Sequence, residues 1–180
     1  TDLRQKTLGI IGMGRIGCAF AQRCVRLWNM SLIYTKRSGP HTTADQELGG
    51  RLVTLDELLE TSDVISIHAN YTPDFHHMFD EALFRLMAKK PLFINTARGA
   101  FVNTDDLLEA LKKERIAGAA LDVTDPEPLP SEHPIWQQTN VIITPHIASA
   151  TRETRLQMAK RACDNLLLGL AGQPMPSELT

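Results

Sequence analysis

A Rossmann-type doubly wound α/β fold, with a mostly parallel sheet covered by helices on both faces, is predicted by three observations. Short runs rich in β-branched residues alternate with helical patterns along the chain, the signature of βαβ units. The first run leads directly into a glycine-rich turn and then into a helical pattern. With 180 residues, 43% hydrophobic and 22% charged, the chain can bury a core of its own, and its composition suits one globular domain.

The strand signals fall at residues 7–11, 31–34, 64–68, 92–95, 117–123 and 141–144. Between them, helical patterns occupy residues 15–27, 55–59, 80–87, 105–113 and 152–170. Thr54 and Glu57 have the spacing of a capping box. Asn103 and Thr104 place capping side chains ahead of Asp105 and Asp106, whose charges suit a helix N-terminus and are therefore read as structural. In the last helix Leu156, Ala159, Cys163, Leu166 and Leu170 recur at spacings of three and four, an apolar stripe that has to pack on something. No internal repeat or low-complexity tract interrupts the pattern.

Charge and cysteine usage exclude several classes of function. Nineteen cationic against 21 acidic side chains give a formal charge of −2, so nothing drives the surface towards nucleic acid or an anionic membrane. No apolar run approaches the ~20 residues that span a bilayer, and TDLRQK at the start lacks the apolar stretch of a signal peptide; a cytoplasmic location is expected. Cys18, Cys24 and Cys163 are odd in number and form no CxxC, which predicts reduced, buried thiols and no metal site. The chain opens at Thr1 and reaches a strand signal within a few residues, as expected of a segment of a longer protein.

The glycine turn carries the first functional signal. GIIGMGRIG sets Gly12, Gly14 and Gly17 in the order G-x-G-x-x-G after a strand and before a helix. Gly12 permits the tight turn, Gly14 lets the backbone approach a pyrophosphate, and Gly17 lets helix and strand pack closely. With Met13, Arg15 and Ile16, these residues form a candidate dinucleotide cradle in which the helix N-terminus offers N–H groups to the anion.

NAD-binding versions of this fold place an acid about 20 residues further on, at the end of the second strand. Here that strand runs into IYTKRS, with Thr35, Lys36, Arg37 and Ser38 and no acid. A carboxylate there would repel a 2′-phosphate, whereas two cations flanked by hydroxyls would bind one. The sequence therefore favours NADP(H). NAD stays open, because strand-end cations are also ordinary solvated surface and other groups can hold a ribose.

Three further residues suit chemistry on a small acid. INTARG ends a strand and puts Arg98 beyond its carboxyl end, where open α/β sheets bind ligands; a guanidinium grips a carboxylate with two parallel hydrogen bonds. Taken alone, such an Arg is an ordinary surface residue. Asp122 ends the next strand, and the Pro-dense loop DPEPLPSEHP carries Glu127. The last strand delivers His146, and a His paired with a carboxylate is a competent proton donor near neutral pH. His41, His76, His77 and His133 have no comparable context.

GMGRIG, INTARGAFVN, GAALDVTDPEP and ITPHIASAT together resemble the nucleotide-binding domain of the D-isomer-specific 2-hydroxyacid dehydrogenases, over nearly the whole chain. The resemblance implies that Arg98 binds the substrate carboxylate and keto oxygen, and that His146 is the acid/base residue, oriented by Glu127. It implies that Asp122 contacts the nicotinamide carboxamide, and that Asn70, Thr96, Ala97 and Ala148 are further cofactor contacts. HANYTP, from His68 to Pro73, departs from the family, where many members carry a Pro at or near Asn70.

The Lys-Arg pair and the C-terminal NLLLGLAGQPMPSEL look most like the glyoxylate, hydroxypyruvate and 2-ketogluconate reductase branch. An NAD-linked enzyme of phosphoglycerate or lactate type, or a dinucleotide-sensing, corepressor-like module without turnover, are the alternatives. Family members have a second, substrate domain built from residues before the glycine motif. Residues 1–180 are thus expected to be one dinucleotide-binding domain whose last helix, about 151–170, docks partly on a substrate domain outside this chain. A homodimer through the nucleotide domain and a small 2-oxo or 2-hydroxy acid partner are implied as well.

Overall fold

The computed structural model describes residues 2–177. Seven strands form one sheet: β1 (Thr7–Ile11), β2 (Ser31–Thr35), β3 (Arg51–Leu52), β4 (Val64–Ile67), β5 (Leu92–Asn95), β6 (Gly118–Leu121) and β7 (Val141–Ile143). The helices are α1 (Arg15–Trp28), α2 (Thr42–Leu48), α3 (Leu55–Thr61), α4 (Glu81–Arg85), α5 (Thr104–Lys112) and α6 (Arg152–Leu170). The strand order is β3-β2-β1-β4-β5-β6-β7, and every neighbouring pair is parallel. This is the predicted Rossmann-type sheet.

Side chains alternate across each strand, so consecutive residues feed opposite faces. Leu8, Ile10, Leu32 and Tyr34 pack with Cys18, Ala21 and Cys24 of α1 on one face. Ile11, Ile33, Ile65 and Ile67 pack with Leu58, Leu59, Leu107, Leu108 and Leu111 on the other. All four residues of β4 are buried, because the strand lies inside the sheet with apolar partners on both faces. Order in the sheet reverses at β1, which pairs with β2 on one side and β4 on the other. That switch point is where open α/β sheets leave a crevice.

The strand and helix signals correspond to observed elements, with α2 and β3 added and the 117–123 strand shortened to β6. Helix α2 and strand β3 carry too little pattern to read. Only Ala44 and Leu48 of α2 are buried, and both residues of β3 are exposed. The 80–87 pattern yields the shorter α4, started by Asp80 Oδ1 accepting from Leu83 N at 3.1 Å. The capping signals hold: Thr54 Oγ1 accepts from Glu57 N, and Asn103 Oδ1 from the amides of Asp105 and Asp106.

One compact unit ends at Pro145 and a second begins at His146. The second is essentially α6, capped by Thr151 Oγ1 accepting from Thr154 N. None of its helical residues is buried, and Leu156, Leu166 and Leu170 of the stripe are 62%, 63% and 78% exposed. Cys18 and Cys24 are buried thiols as expected, but Cys163 is exposed. The buried-thiol expectation is corrected there, because the stripe that carries Cys163 is uncovered. Among the described residues no helix is long and apolar enough to cross a membrane.

Candidate functional site

Because all strands are parallel, their carboxyl ends share one edge, and the candidate residues follow those ends. The glycine turn after β1 is tied to both neighbours. Gly12 N donates to Thr35 O at 3.1 Å, and His68 N donates to Ile11 O at 2.7 Å. Gly12 has φ +94°, and a Cβ on it would run into the backbone of Ala69. A Cβ on Gly17 would lie 2.6 Å from Gly12 O. The first and third glycines are thus demanded by the protein's own backbone.

Gly14 differs: a Cβ there meets nothing within 4 Å. What its missing side chain leaves open is the cleft itself. Helix α1 starts at this glycine with no side-chain cap and no acid in its first turn, so its leading N–H groups and positive dipole end face that space. Arg15 and Ile16 are exposed beside it, while Met13 is fully buried in the core. The arrangement fits a dinucleotide pyrophosphate.

The cleft, about 540 Å³ in volume, is lined by Gly12, Met13 and Gly14, by Thr35, Lys36, Arg37 and Ser38, and by His68, Ala69 and Asn70. Lys36 is half-buried and Arg37 exposed, the Arg37 Cζ lying 5.2 Å from the centre of the Phe75 ring. That cation–π contact places the guanidinium at the cleft wall. Behind this segment, the fully buried Tyr34 donates its hydroxyl to Asp45 Oδ1 at 2.6 Å and accepts from His41 N at 2.8 Å. Burial, aided by Asp45, pushes the Tyr34 phenol pKa up, so it stays a hydrogen-bond donor. Helix α2, which supplies Asp45, thereby fixes the loop after Ser38.

A second cleft of about 450 Å³ adjoins the first and is lined by Ile16, His68, Asn70, Tyr71, Thr96, Ala97 and Arg98, among others. His68 borders both. Its Nε2 is 2.9 Å from the Ser66 hydroxyl, its ring is 5.2 Å from that of Phe20, and burial pulls its pKa down to about 4. Sequence reasoning passed over this residue; a His closing the strand beside the glycine turn was the available signal.

Arg98 sits in a turn gripped by Asn95, a 1% exposed residue ending β5. Asn95 Nδ2 donates to Arg98 O at 2.9 Å, and its Oδ1 accepts from Ala97 N at 3.0 Å. The Arg98 side chain is exposed, its Nη1 donating to Ala97 O at 2.6 Å. Next along, Gly99 is buried where a Cβ would collide with the carbonyl of Thr124. Thus the Arg98 turn rests on the start of the Glu127 loop.

Asp122 follows β6, is 4% exposed, and accepts from the Thr144 hydroxyl at 2.6 Å. Its backbone N–H donates to Asn95 O at 2.9 Å. Glu127 is exposed, its Oε2 accepting from Thr124 N at 3.4 Å. His146, with φ +53°, and Ala148 are exposed at the start of the second unit. The first unit therefore gathers two groups of the predicted residues: the glycine turn with residues 35–38 around one cleft, and Asn70 with residues 96–98 around the other.

A doubly wound sheet with a glycine cradle at its switch point defines a Rossmann-type domain for a nicotinamide dinucleotide. The chain belongs to the D-isomer-specific 2-hydroxyacid dehydrogenase family: residues 1–148 match the model of that family's NAD-binding domain. It is 44% identical over 98% of its length to the glyoxylate reductase of Aeropyrum pernix, covering 52% of that protein. To the human glyoxylate reductase/hydroxypyruvate reductase it is 45% identical over 98% of its length, covering 54%. The chain thus spans about half the length of the curated relatives it matches.

A crystal structure of a Thermus thermophilus protein superimposes with a TM-score of 0.90 at 43% identity, covering 99% of this chain and 55% of that one. Two more distant structures were solved with cofactor. An acyclic imino acid reductase in complex with NADPH is 31% identical with a TM-score of 0.86, covering 99% of this chain and 55% of that one. The D-lactate dehydrogenase of Lactobacillus jensenii, solved with NAD+, is 26% identical with a TM-score of 0.90, covering 100% of this chain and 57% of that one.

Proposed function

We propose that this chain is the dinucleotide-binding half of a reductase that converts a small 2-oxo acid, such as glyoxylate or hydroxypyruvate, to the D-2-hydroxy acid with NADPH preferred over NADH. One observation carries the cofactor preference: Lys36, Arg37 and Ser38 line the same cleft as Gly12 and Gly14, and no acid ends β2. The 2′-phosphate is the group that distinguishes the two cofactors, and it meets two cations rather than a carboxylate. The relatives named as glyoxylate and hydroxypyruvate reductases support the substrate class.

The residues take the following roles in this reading. Gly12, Gly14 and the start of α1, with Arg15 and Ile16, hold the pyrophosphate, the buried Met13 and Gly17 shaping the turn beneath them; Thr35, Lys36, Arg37 and Ser38 hold the phosphorylated ribose. Asn70, Thr96, Ala97, Asp122 and Ala148 border the nicotinamide, which when bound supplies or accepts the hydride. Arg98 leaves its own backbone to grip the substrate carboxylate and polarise the carbonyl. His146, oriented by Glu127, gives the proton to the developing alkoxide and takes it back in the oxidative direction. The enzyme works in the cytoplasm as a homodimer joined through this domain.

Comparing NADPH with NADH in the full-length enzyme tests the reading. NADPH binds at least ~10-fold more tightly, as one charge-assisted hydrogen bond alone implies, and supports turnover of glyoxylate or hydroxypyruvate. Equal or tighter NADH binding overturns the cofactor preference, and absence of turnover with either acid overturns the substrate class.

A further inference from the structure

We infer that His77 and Asp125 form a positioning pair that locks the Arg98 turn and the Glu127 loop together at the substrate end of the cleft. The inference rests on the reductase reading above, in which Arg98 and Glu127 act on substrate and acid/base residue. His77 Nε2 lies 2.8 Å from Asp125 Oδ2, across 48 positions of sequence. Both side chains are about one-third exposed, at 37% and 32%, so the bond is shielded from full competition by water.

Each partner is anchored separately to the residues that follow Arg98. His77 N donates to Ala100 O at 2.8 Å, Phe79 N to Phe101 O at 2.9 Å, and Asn103 N to Phe79 O at 3.0 Å. The strip around His77 is thereby stitched to the residues that follow Arg98 and Gly99. Asp125 O accepts from the Thr104 hydroxyl at 2.6 Å, and the Thr124 carbonyl fills the space where Gly99 would carry a Cβ. His77 adopts φ +52°, a conformation unfavourable for a residue other than glycine and held here by its surroundings.

The contacts continue to the cleft wall. The His76 ring stacks on His77 with centroids 3.8 Å apart and planes at 22°, and His76 Nδ1 is 3.3 Å from the Tyr71 hydroxyl. Tyr71 lines the same cleft as Arg98. These two imidazoles and Asp125 have the donor types of a metal site. His77 Nε2 already shares its bond with Asp125 Oδ2, and the contact between the two rings is stacking.

The test compares His77→Ala, Asp125→Ala, the double variant and His77→Gln in the full-length enzyme. Asp125→Ala breaks the bond without disturbing the unusual backbone at His77, and His77→Gln keeps an N–H donor at similar reach. Each alanine variant lowers kcat for the 2-oxo acid by about 10- to 100-fold, as small misplacements of reacting groups do, and shifts the alkaline limb of the kcat–pH profile, where the proton donor of the reduction is lost. NADPH affinity stays within about twofold, the double variant is little worse than either single one because they break one interaction, and glutamine restores most of the rate. Lowered Tm with unchanged kcat and pH profile, additive losses, or NADPH affinity falling in step with kcat each overturn the pair. If the unaltered enzyme turns over no 2-oxo acid, the reductase reading fails and hydrogen exchange in this chain decides the pair. Faster exchange at residues 98–102 and 124–127 in both alanine variants supports it, and unchanged exchange overturns it.

Discussion

Lys36 and Arg37, proposed to meet the 2′-phosphate, differ in how they are held, and on that reading they should contribute unequally. Arg37 lies over the Phe75 ring, a contact that would lower the freedom its guanidinium loses on binding a phosphate. Lys36 is half-buried on a flexible stem. Replacing both with Ala is expected to weaken NADPH binding by about 10- to 100-fold, the yield of one or two charge-assisted hydrogen bonds at an exposed site, while NADH affinity changes by less than about threefold. Isothermal titration of both cofactors checks this, and parallel losses for the two would remove these cations from 2′-phosphate recognition. His68 gives a prediction in pH. Its folded-state pKa of about 4 lies below the ordinary 6.5, so between those values the unfolded chain binds a proton that the folded chain refuses. Stability from this group is fully present above pH 6.5 and is lost as pH falls towards 4. His68→Gln, which can keep the bond to Ser66, removes that dependence. The Tm of the unaltered chain should therefore fall more steeply than that of the variant from pH 7 to pH 4.5, and parallel curves would refute the half-buried neutral imidazole.

At the scale of elements, the glycine turn separates what the fold requires from what a ligand requires. Gly17→Ala pushes a Cβ to 2.6 Å from Gly12 O and should destabilise the chain by about 1–3 kcal/mol, the usual penalty of overpacking. Gly14→Ala meets nothing within 4 Å and sits at an ordinary φ of −99°, so its Tm should stay within a few degrees while dinucleotide affinity drops ~10-fold or more, the same overpacking penalty now borne by the complex. Thermal melts and titrations on the two variants check the contrast, and a Gly14→Ala chain that binds normally would show that nothing approaches that glycine. The β1–turn–α1 unit was legible because each of its requirements is written within a dozen neighbouring positions. The Arg98 turn was legible for the same reason. Gly99 was not: its need for a missing side chain arises from Thr124, which arrives through the pairing of β5 with β6. Nor were α2 and β3, whose few buried positions leave no period to detect, although α2 supplies the Asp45 that fixes Tyr34 and the loop after Ser38.

For the whole molecule, what this chain should do alone follows from where the contacts of its two clefts lie. The glycine turn and residues 35–38 belong to one compact unit with a core on both faces of its sheet. The residues that line that cleft lie in this unit, so the chain alone should bind NADPH within a few-fold of the full-length enzyme. Turnover is another matter. Arg98 is exposed, with Nη1 bonded to its own neighbour's carbonyl, and Glu127 and His146 are exposed as well. A carboxylate held by an exposed Arg competes with water, and exclusion of water together with fixed orientation supplies much of the rate in such reactions. The chain covers about half of its relatives, and under the reading proposed above the substrate's enclosure is expected to need residues outside it. With saturating NADPH and glyoxylate or hydroxypyruvate, the chain alone should therefore turn over at least ~10³-fold more slowly than the full-length enzyme, a modest share of the effective molarity that orientation provides. Steady-state rates of the two proteins, measured alongside NADPH titrations, decide the point: brisk turnover by the chain alone would mean that the substrate site is complete within these residues.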